Sequence, residues 1–226
     1  MTHRFLIAVA FFLSFTTATK AQFSVGVSAG GNLTCWKWFY NELNLDLGYD
    51  PGPGFRAAIF TEYQLSPGLA IRAELANQVF GNRLKVEATD SNGGPTGEVS
   101  TLRASYNSVG GSLLLTFLPL KKLPNLYVLA GPAFAYVTHG WLRFPAGYFE
   151  GRDKPWRERI SPDDTLVRRD QWLAELGLGY AHAFGAKNRV AVEFRYQHGL
   201  TGIASSTVID SGIQTVLLSV AFQRNL

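Results

Sequence analysis

The chain is poor in cysteine and in charge, and its composition excludes several classes of protein. A single cysteine, Cys35, among 226 residues excludes an internal disulfide scaffold. Charged residues make up 17% of the chain, whereas about a quarter is usual for a soluble domain. Beyond the extreme N-terminus there is no apolar run of helix-spanning length, which excludes a bundle of transmembrane helices. An aromatic content of 13% excludes long disorder.

The first 21 residues have the three parts of a secretory signal peptide. Arg4 forms a short basic region, residues 5–15 are apolar, and a polar end closes with small residues. The sequence therefore predicts a cleaved segment over 1–21 and a mature chain over 22–226. Cleavage would remove two basic residues and no acidic one, which lowers the formal net charge from +4 to +2. This balance gives no electrostatic reason to expect a nucleic-acid partner.

Most of the mature chain alternates between apolar and polar residues, which indicates strands with one apolar face. In residues 190–197 the apolar face holds Val192 and Phe194, and the polar face holds Glu193 and Arg195. Similar runs, eight in all with this one, cover 23–33, 55–64, 69–79, 104–118, 126–138, 170–184 and 215–223. The run over 126–138 is apolar almost throughout, so the pattern does not distinguish its two faces.

The connections between these runs alternate in length. Short turns lie at 66–68, 119–125 and 185–188, and long connections lie near 34–53, 81–103, 139–169 and 199–211. Short periplasmic turns opposite long external loops are typical of outer-membrane barrels. The predicted fold is therefore an all-β, eight-stranded antiparallel up-and-down transmembrane β-barrel with both termini periplasmic. A ten-stranded barrel is the alternative, if 34–53 or 139–169 holds another hairpin.

A soluble sandwich or lipocalin-like barrel is the rival fold. The polar faces of the runs carry glycine and alanine beside paired charges, which suits a narrow lumen better than a solvated surface. Aromatic residues near the run ends also predict two girdles at the membrane interfaces. The turn-end girdle comprises Phe23, Tyr63, Phe117, Tyr127, Phe184 and Phe222, and the loop-end girdle comprises Phe55, Tyr136, Trp172 and Tyr196.

Five stretches carry a resemblance to a known family. Residues 21–33, 53–66, 69–81, 111–115 and 126–132 resemble the strands and turns of the PorT-like small outer-membrane β-barrels. The resemblance implies a barrel in the outer membrane of a Gram-negative cell, in contact with outer-membrane lipid. One branch of that family is tied to protein secretion across this membrane. Such barrels commonly end in an aromatic residue, whereas here Phe222 lies four positions before the end.

The polar faces would line the lumen, and they carry seven charged residues. These are Arg56, Glu62, Arg72, Glu74, Glu175, Glu193 and Arg195. Opposite charges in a poorly hydrated interior must pair to offset their desolvation. An eight-stranded barrel is just wide enough for its side chains to fill. The set therefore indicates either a structural network that plugs the lumen or a narrow, porin-like ion path, and not a wide diffusion pore.

The 139–169 connection combines aromatic residues with arginine, the residue types enriched at interface hot spots. The candidate partner-binding residues are Trp141, Phe144, Tyr148, Phe149, Arg152, Trp156 and Arg157. They indicate a non-enzymatic structural or accessory barrel that binds a protein in or on the outer membrane through its external loops. A secretion or uptake assembly is the expected setting. The alternative is that strands simply extend beyond the membrane here.

A lipid-modifying hydrolase or acyltransferase is the remaining hypothesis. His198 at a strand end is followed by Ser205, Ser206 and Asp210 in the next connection. Triads are recognised by geometry, and spacing alone does not bring these residues together, so no catalytic residue is assigned. No motif for a metal or an organic cofactor stands out, and the sequence predicts neither.

Overall fold

Strands account for nearly all of the regular structure. The computed structural model describes residues 23–40, 45–48, 50–89, 95–118, 125–146, 153–162, 167–202 and 209–226. The strands are β1 (Phe23–Tyr40), β2 (Leu45–Gly48), β3 (Asp50–Ser66), β4 (Leu69–Thr89), β5 (Pro95–Phe117), β6 (Leu126–Phe144), β7 (Trp156–Ile160), β8 (Asp170–Phe184), β9 (Asn188–Gly199) and β10 (Ile209–Asn225). Within these residues, no helix is long and apolar enough to cross a membrane. The predicted signal segment, 1–21, lies outside the described residues.

Eight of the strands join into a closed ring. The ring runs β1–β3–β4–β5–β6–β8–β9–β10, each strand antiparallel to the next, and β10 returns to pair with β1. Every strand of the ring therefore has a partner on both sides, as a sheet in lipid requires. The all-β, antiparallel, up-and-down architecture predicted from the alternation is confirmed.

Two short strands lengthen the ring at one end without widening it. β2 pairs with β1 beyond the β1–β3 ladder, and β7 pairs with β6 beyond the β6–β8 ladder. They lie in 34–53 and 139–169, the two segments in which an extra hairpin would have made a ten-stranded barrel. β2 lies beside β1 above the point where β3 stops pairing with it, and β7 lies beside β6 above the point where β8 stops. Neither adds a strand to the circumference, so among the described residues the ring has eight strands.

The strands also run further than the turn-forming residues suggest. β4 continues to Thr89 and β5 begins at Pro95, so the connection expected over 81–103 is largely a paired ladder. Gly81, the first residue of that expected connection, lies inside β4, and a Cβ at this position would lie 2.1 Å from the backbone oxygen of Pro53. This glycine therefore permits close strand packing and does not form a turn.

Tight turns occupy the opposite end. Residues 67–68 join β3 to β4, and residues 185–187 join β8 to β9. Gly185 has a φ of 70°, the left-handed region that glycine adopts without strain. The third predicted short turn lies almost wholly outside the described residues. This end is named the turn end below, and the end with the extended hairpins is named the loop end.

The apolar faces of the strands point away from the lumen. On β9, Val192 and Phe194 are 50% and 52% exposed, whereas Glu193 and Arg195 are 0% exposed. A lipocalin-like soluble barrel would bury its apolar faces, so this orientation excludes that rival. An apolar outer surface around a polar interior is the arrangement of a membrane-spanning barrel.

The exposed aromatic residues follow the two girdles, with one correction. At the turn end Phe23, Phe117, Phe184 and Phe222 are exposed, and at the loop end Phe55, Tyr136, Trp172 and Tyr196 are exposed. Tyr127 was assigned to the turn-end girdle, and this is wrong: it is 2% exposed and points into the lumen. β6 is apolar on both faces, so alternation could not show which of its residues face inward.

Candidate functional site

Four strands direct the seven predicted charges into the lumen. The contributions are Arg56 and Glu62 from β3, Arg72 and Glu74 from β4, Glu175 from β8, and Glu193 and Arg195 from β9. Each residue is at most 7% exposed. The two-residue period of a strand explains their common direction. Because β3–β4 and β8–β9 are separate pairs of neighbours in the ring, their side chains meet across the interior.

Arg195 is the centre of this charge network. Its guanidinium group donates hydrogen bonds to Glu74 at 2.8 Å, to Glu175 at 2.6 Å and to Glu193 at 2.5 Å. All four side chains are 0% exposed. A single guanidinium thus ties β4, β8 and β9 together, which braces the ring from inside.

Two further arginines complete the network. Arg56 donates to Glu74 at 2.8 Å and to Glu175 at 3.3 Å. Arg72 donates to Glu62 at 3.0 Å and to Glu193 at 2.6 Å. The guanidinium carbon of Arg72 also lies 4.4 Å from the centre of the Phe60 ring, a cation–π contact.

Neutral side chains satisfy carboxylate oxygens around the arginines. Tyr127 donates its hydroxyl to Glu193 at 2.5 Å, Gln197 donates to Glu175 at 2.9 Å, and Gln223 donates to Glu62 at 3.0 Å. Buried charges are tolerated only when such extra bonds are made. Alternation had placed Gln197 and Gln223 on polar faces without singling them out, and it missed Tyr127.

Small residues on β8 make room for the larger groups. A Cβ at Gly179 would lie 2.2 Å from the ring of Tyr127, and one at Gly177 would lie 2.9 Å from Cγ of Arg195. Both positions face inward on β8, next to Glu175. The glycines on this polar face thus leave the space that Arg195 and Tyr127 occupy.

Side chains fill the lumen on the loop-end side of the network, and a small cavity remains on the turn-end side. Toward the loop end lies a buried apolar cluster in which Trp36 stacks on Tyr106, their ring centres 4.7 Å apart. Toward the turn end, a cavity of about 80 Å³ reaches Glu62, Arg72 and Tyr127. A cavity of this size holds a few water molecules. The interior is therefore a packed core built around charge.

The predicted partner-binding residues are split between two faces of the β6–β7 hairpin. Phe144 stacks on Trp156, directly opposite in register, with ring centres 4.5 Å apart. Trp141 and Arg157 lie on the other face, the guanidinium 4.3 Å from the Trp141 ring centre. The remaining three, Tyr148, Phe149 and Arg152, lie outside the described residues.

The residues of the enzyme hypothesis are only partly described. His198 lies on the outward face of β9, with its Nδ1 3.3 Å from the hydroxyl of Tyr196. Ser205 and Ser206 lie outside the described residues, as does the side chain of Asp210. In the part of the chain that the structure describes, no group of three His, Cys, Asp or Glu residues could hold a metal ion.

Comparison with known families agrees with the ring and its outward apolar face. The sequence model of the outer membrane protein beta-barrel domain matches residues 5–222. The chain belongs to this family. Membership makes it an outer-membrane protein and leaves its role open, and no curated protein matches the chain in sequence.

Several solved outer-membrane barrels are similar to this family member in fold. The outer membrane protease OmpT from Escherichia coli is 7% identical, with 93% of this chain and 99% of that chain covered and a TM-score of 0.46. OprG from Pseudomonas aeruginosa is 11% identical, with 92% and 98% covered and a TM-score of 0.44. Ail from Yersinia pestis is 11% identical, with 89% and 99% covered and a TM-score of 0.42. Likeness at this level does not determine the role.

Proposed function

We propose that this outer-membrane barrel is a non-enzymatic accessory component of PorT-like kind, which binds a protein partner through its loop-end hairpins in a secretion or uptake assembly. The observation that carries the proposal is the filled lumen. Arg195 spans the interior to three carboxylates, all without solvent exposure. An interior of this kind holds a shape and leaves no room for a solute. Because the lumen is filled, the hairpins beyond the ring are the surfaces that can bind a partner.

The β6–β7 hairpin suits recognition because its side chains are already held in place. The Phe144–Trp156 stack fixes one face, and the contact of Arg157 with Trp141 fixes the other. Aromatic and arginine side chains that are ordered before binding lose little entropy on association. This hairpin is therefore the proposed binding element for the partner.

The proposal includes the orientation of the barrel. The turn end, where β1 begins and β10 ends, faces the periplasm, and the hairpins face outward. Residues 1–21 act as the cleaved export signal. The support is the contrast in length between tight turns and extended hairpins, which in bacterial barrels separates periplasmic from external ends.

Site-specific cross-linking in the native outer membrane tests this function. A photo-reactive residue replaces Lys154, exposed beside β7, or Lys187, exposed in the β8–β9 turn. We expect one discrete larger species from position 154 and none from position 187. The species should weaken when Trp156→Ala is added, and mass spectrometry of its peptides identifies the partner. Equal cross-linking at both positions, or a native mass in mild detergent equal to the monomer alone, contradicts the proposal.

A narrow cation path is the second candidate, favoured by the turn-end cavity that reaches Glu62 and Arg72. The network holds three arginines against four glutamates, so a path through it would favour cations. Recording in planar bilayers separates the candidates. The accessory barrel is silent, whereas a channel conducts and changes its conductance with Arg72→Ala or Glu74→Ala.

A further inference from the structure

Four arginines form a row across four adjacent strands at the loop end. Arg83 on β4 lies directly opposite Arg103 on β5, Arg103 lies opposite Arg143 on β6, and Arg143 lies opposite Arg157 on β7. Residues directly opposite each other in an antiparallel pair project from the same face. Since neighbouring strands are about 4.8 Å apart, this arginine row spans roughly 14 Å.

The arginine row faces away from the lumen. The inward pair Phe80–Tyr106 lies three residues from the pair Arg83–Arg103, an odd number that reverses the face. A register shift between Asn107 and Ser108 brings Arg143 onto the same outer face. All four arginines border an outer groove of about 330 Å³ that also contacts Trp141.

The row lies beyond the loop-end edge of the apolar band, on the side where the lipid headgroups begin. The outward residues of β5 are apolar from Phe117 to Val109 and polar from Asn107 to Thr101. Val109 pairs with Tyr136 of the loop-end girdle, and Trp141 follows five residues later. Aromatic residues mark the membrane interface. Arg143 lies two residues beyond Trp141, about 5 Å further along the axis of a barrel with strands tilted by roughly 40°.

The charges of the row are not balanced by the described protein. None of the four guanidinium groups makes an ion pair with a carboxylate in the described part of the chain. Asp50 lies opposite Arg83 in register, but its carboxylate binds Lys85 at 2.8 Å. The Nε atom of Arg83 is buried and has no hydrogen-bond partner among the described residues. Like charges directly opposite each other destabilise a sheet, so an external anion would stabilise the row.

We propose that the arginine row binds the phosphate groups of an anionic glycolipid headgroup. Guanidinium groups match phosphate oxygens with paired hydrogen bonds, which makes arginine the preferred residue for this anion. A lipid is the occupant because the row lies on the same outward face as the lipid-facing apolar band and two residues beyond Trp141. A row of roughly 14 Å is longer than one phosphate needs, so the ligand carries phosphates at both ends of its headgroup. The site shares Arg157 with the proposed partner-binding hairpin, but lipid binding by the row requires no protein partner.

Lipid retention by the refolded full chain tests the site. The protein in neutral detergent is mixed with diphosphoryl lipid A, monophosphoryl lipid A or phosphatidylethanolamine, and bound lipid is counted by native mass spectrometry. We expect retention to fall in that order. Arg103→Gln with Arg143→Gln should weaken retention of the diphosphoryl lipid by about tenfold or more, because two of the four positive charges that face its phosphates are lost.

The matched control removes the same charge at the other end of the barrel. The control, Lys187→Gln with Arg224→Gln, replaces two exposed basic residues at the turn end and should leave retention within about twofold of the wild type. A heat-dependent gel shift verifies that both double variants are folded. Equal loss in both pairs, or equal retention of all three lipids, overturns the site. Full displacement of the lipid by millimolar inorganic phosphate assigns a free-anion site and overturns the lipid assignment.

Discussion

The arginines inside the ring and those on its outer wall differ in their pairing with carboxylates. Arg56, Arg72 and Arg195 each contact at least two carboxylates in the lumen, at positions almost without solvent. The arginine row on the outer wall has no described carboxylate partner. The arginine charges inside the barrel are therefore compensated by carboxylates of the chain itself, whereas no carboxylate among the described residues compensates the row. The two groups should respond differently to removal of an arginine.

Removal of an interior arginine should have the largest effect. Arg195→Ala leaves Glu74, Glu175 and Glu193 buried without their shared partner. Breaking a buried pair in this way costs about 3–5 kcal/mol. We expect the urea midpoint of the refolded barrel, followed by tryptophan fluorescence, to fall steeply, or the heat-dependent gel shift to disappear. The control, Arg189→Ala at a half-buried position of the same strand, should lose much less. An Arg195→Ala barrel as stable as this control would show that the network does not brace the ring.

Crowding the network should have the next largest effect. In Gly179→Ala the added methyl group would lie 2.2 Å from the Tyr127 ring, and overpacking of this kind costs about 1–3 kcal/mol. Gly212→Ala on β10 is the matched change, because a Cβ there meets nothing within 4 Å. We expect the urea midpoint to drop for the first variant only. A similar drop in both would trace the cost to the glycine backbone and not to the lumen.

Removal of one neutral donor to the network should cost less. Tyr127→Phe deletes the hydroxyl bonded to Glu193, which keeps its two arginine partners. The expected loss is about 1.5 kcal/mol, the low end of the range for a hydrogen bond to a charged group, because Glu193 keeps both arginines. Tyr180→Phe, on the exposed face of β8, serves as the control and should behave as the wild type in the same titration. If both variants match the wild type, Tyr127 only fills space.

Removal of an outer arginine should have the smallest effect on stability. Arg103→Gln relieves repulsion with Arg83 and Arg143 on either side. We expect the free energy of unfolding in uncharged detergent to stay within about 0.5 kcal/mol of the wild type. Any gain should appear at low salt and fade at high salt, because exposed charges are screened. A clear loss in the absence of anionic lipid would mean that the row is paired within the protein after all.

Alternation along single strands is sufficient to predict which charges enter the lumen. Glu193 and Arg195 are separated from Val192 and Phe194 by the two-residue period alone, and the same period places Arg72 and Glu74. This works because one face of each of these strands is polar. On β6 both faces are apolar, so the period carried no information, and Tyr127 was placed on the wrong side.

Contacts between strands could not be predicted from the pattern. The arginine row depends on the register of three successive pairings, β4–β5, β5–β6 and β6–β7. The β5–β6 register includes a one-residue shift between Asn107 and Ser108. Without that shift Arg143 would face the opposite side of the sheet. The alternation within each strand holds no information about such a shift, so neighbours across strands require the structure. The ends of the strands beside the long connections were also not predicted. Glycine and asparagine occur inside these strands as well as in turns, so they do not mark where a strand ends.

The pairing of β1 with β10 has a consequence for the order of assembly. Across this seam the side chain of Gln223 donates a hydrogen bond to Ser24, a residue 199 positions earlier in the chain. All other neighbours in the ring are linked by much shorter stretches of chain, so the seam is the slowest contact to find. Until β10 arrives, the sheet has two open edges whose backbone groups find no partner in hydrocarbon. Biogenesis of this barrel therefore requires that the open edges of the incomplete sheet be kept out of the hydrocarbon until β10 pairs with both of them.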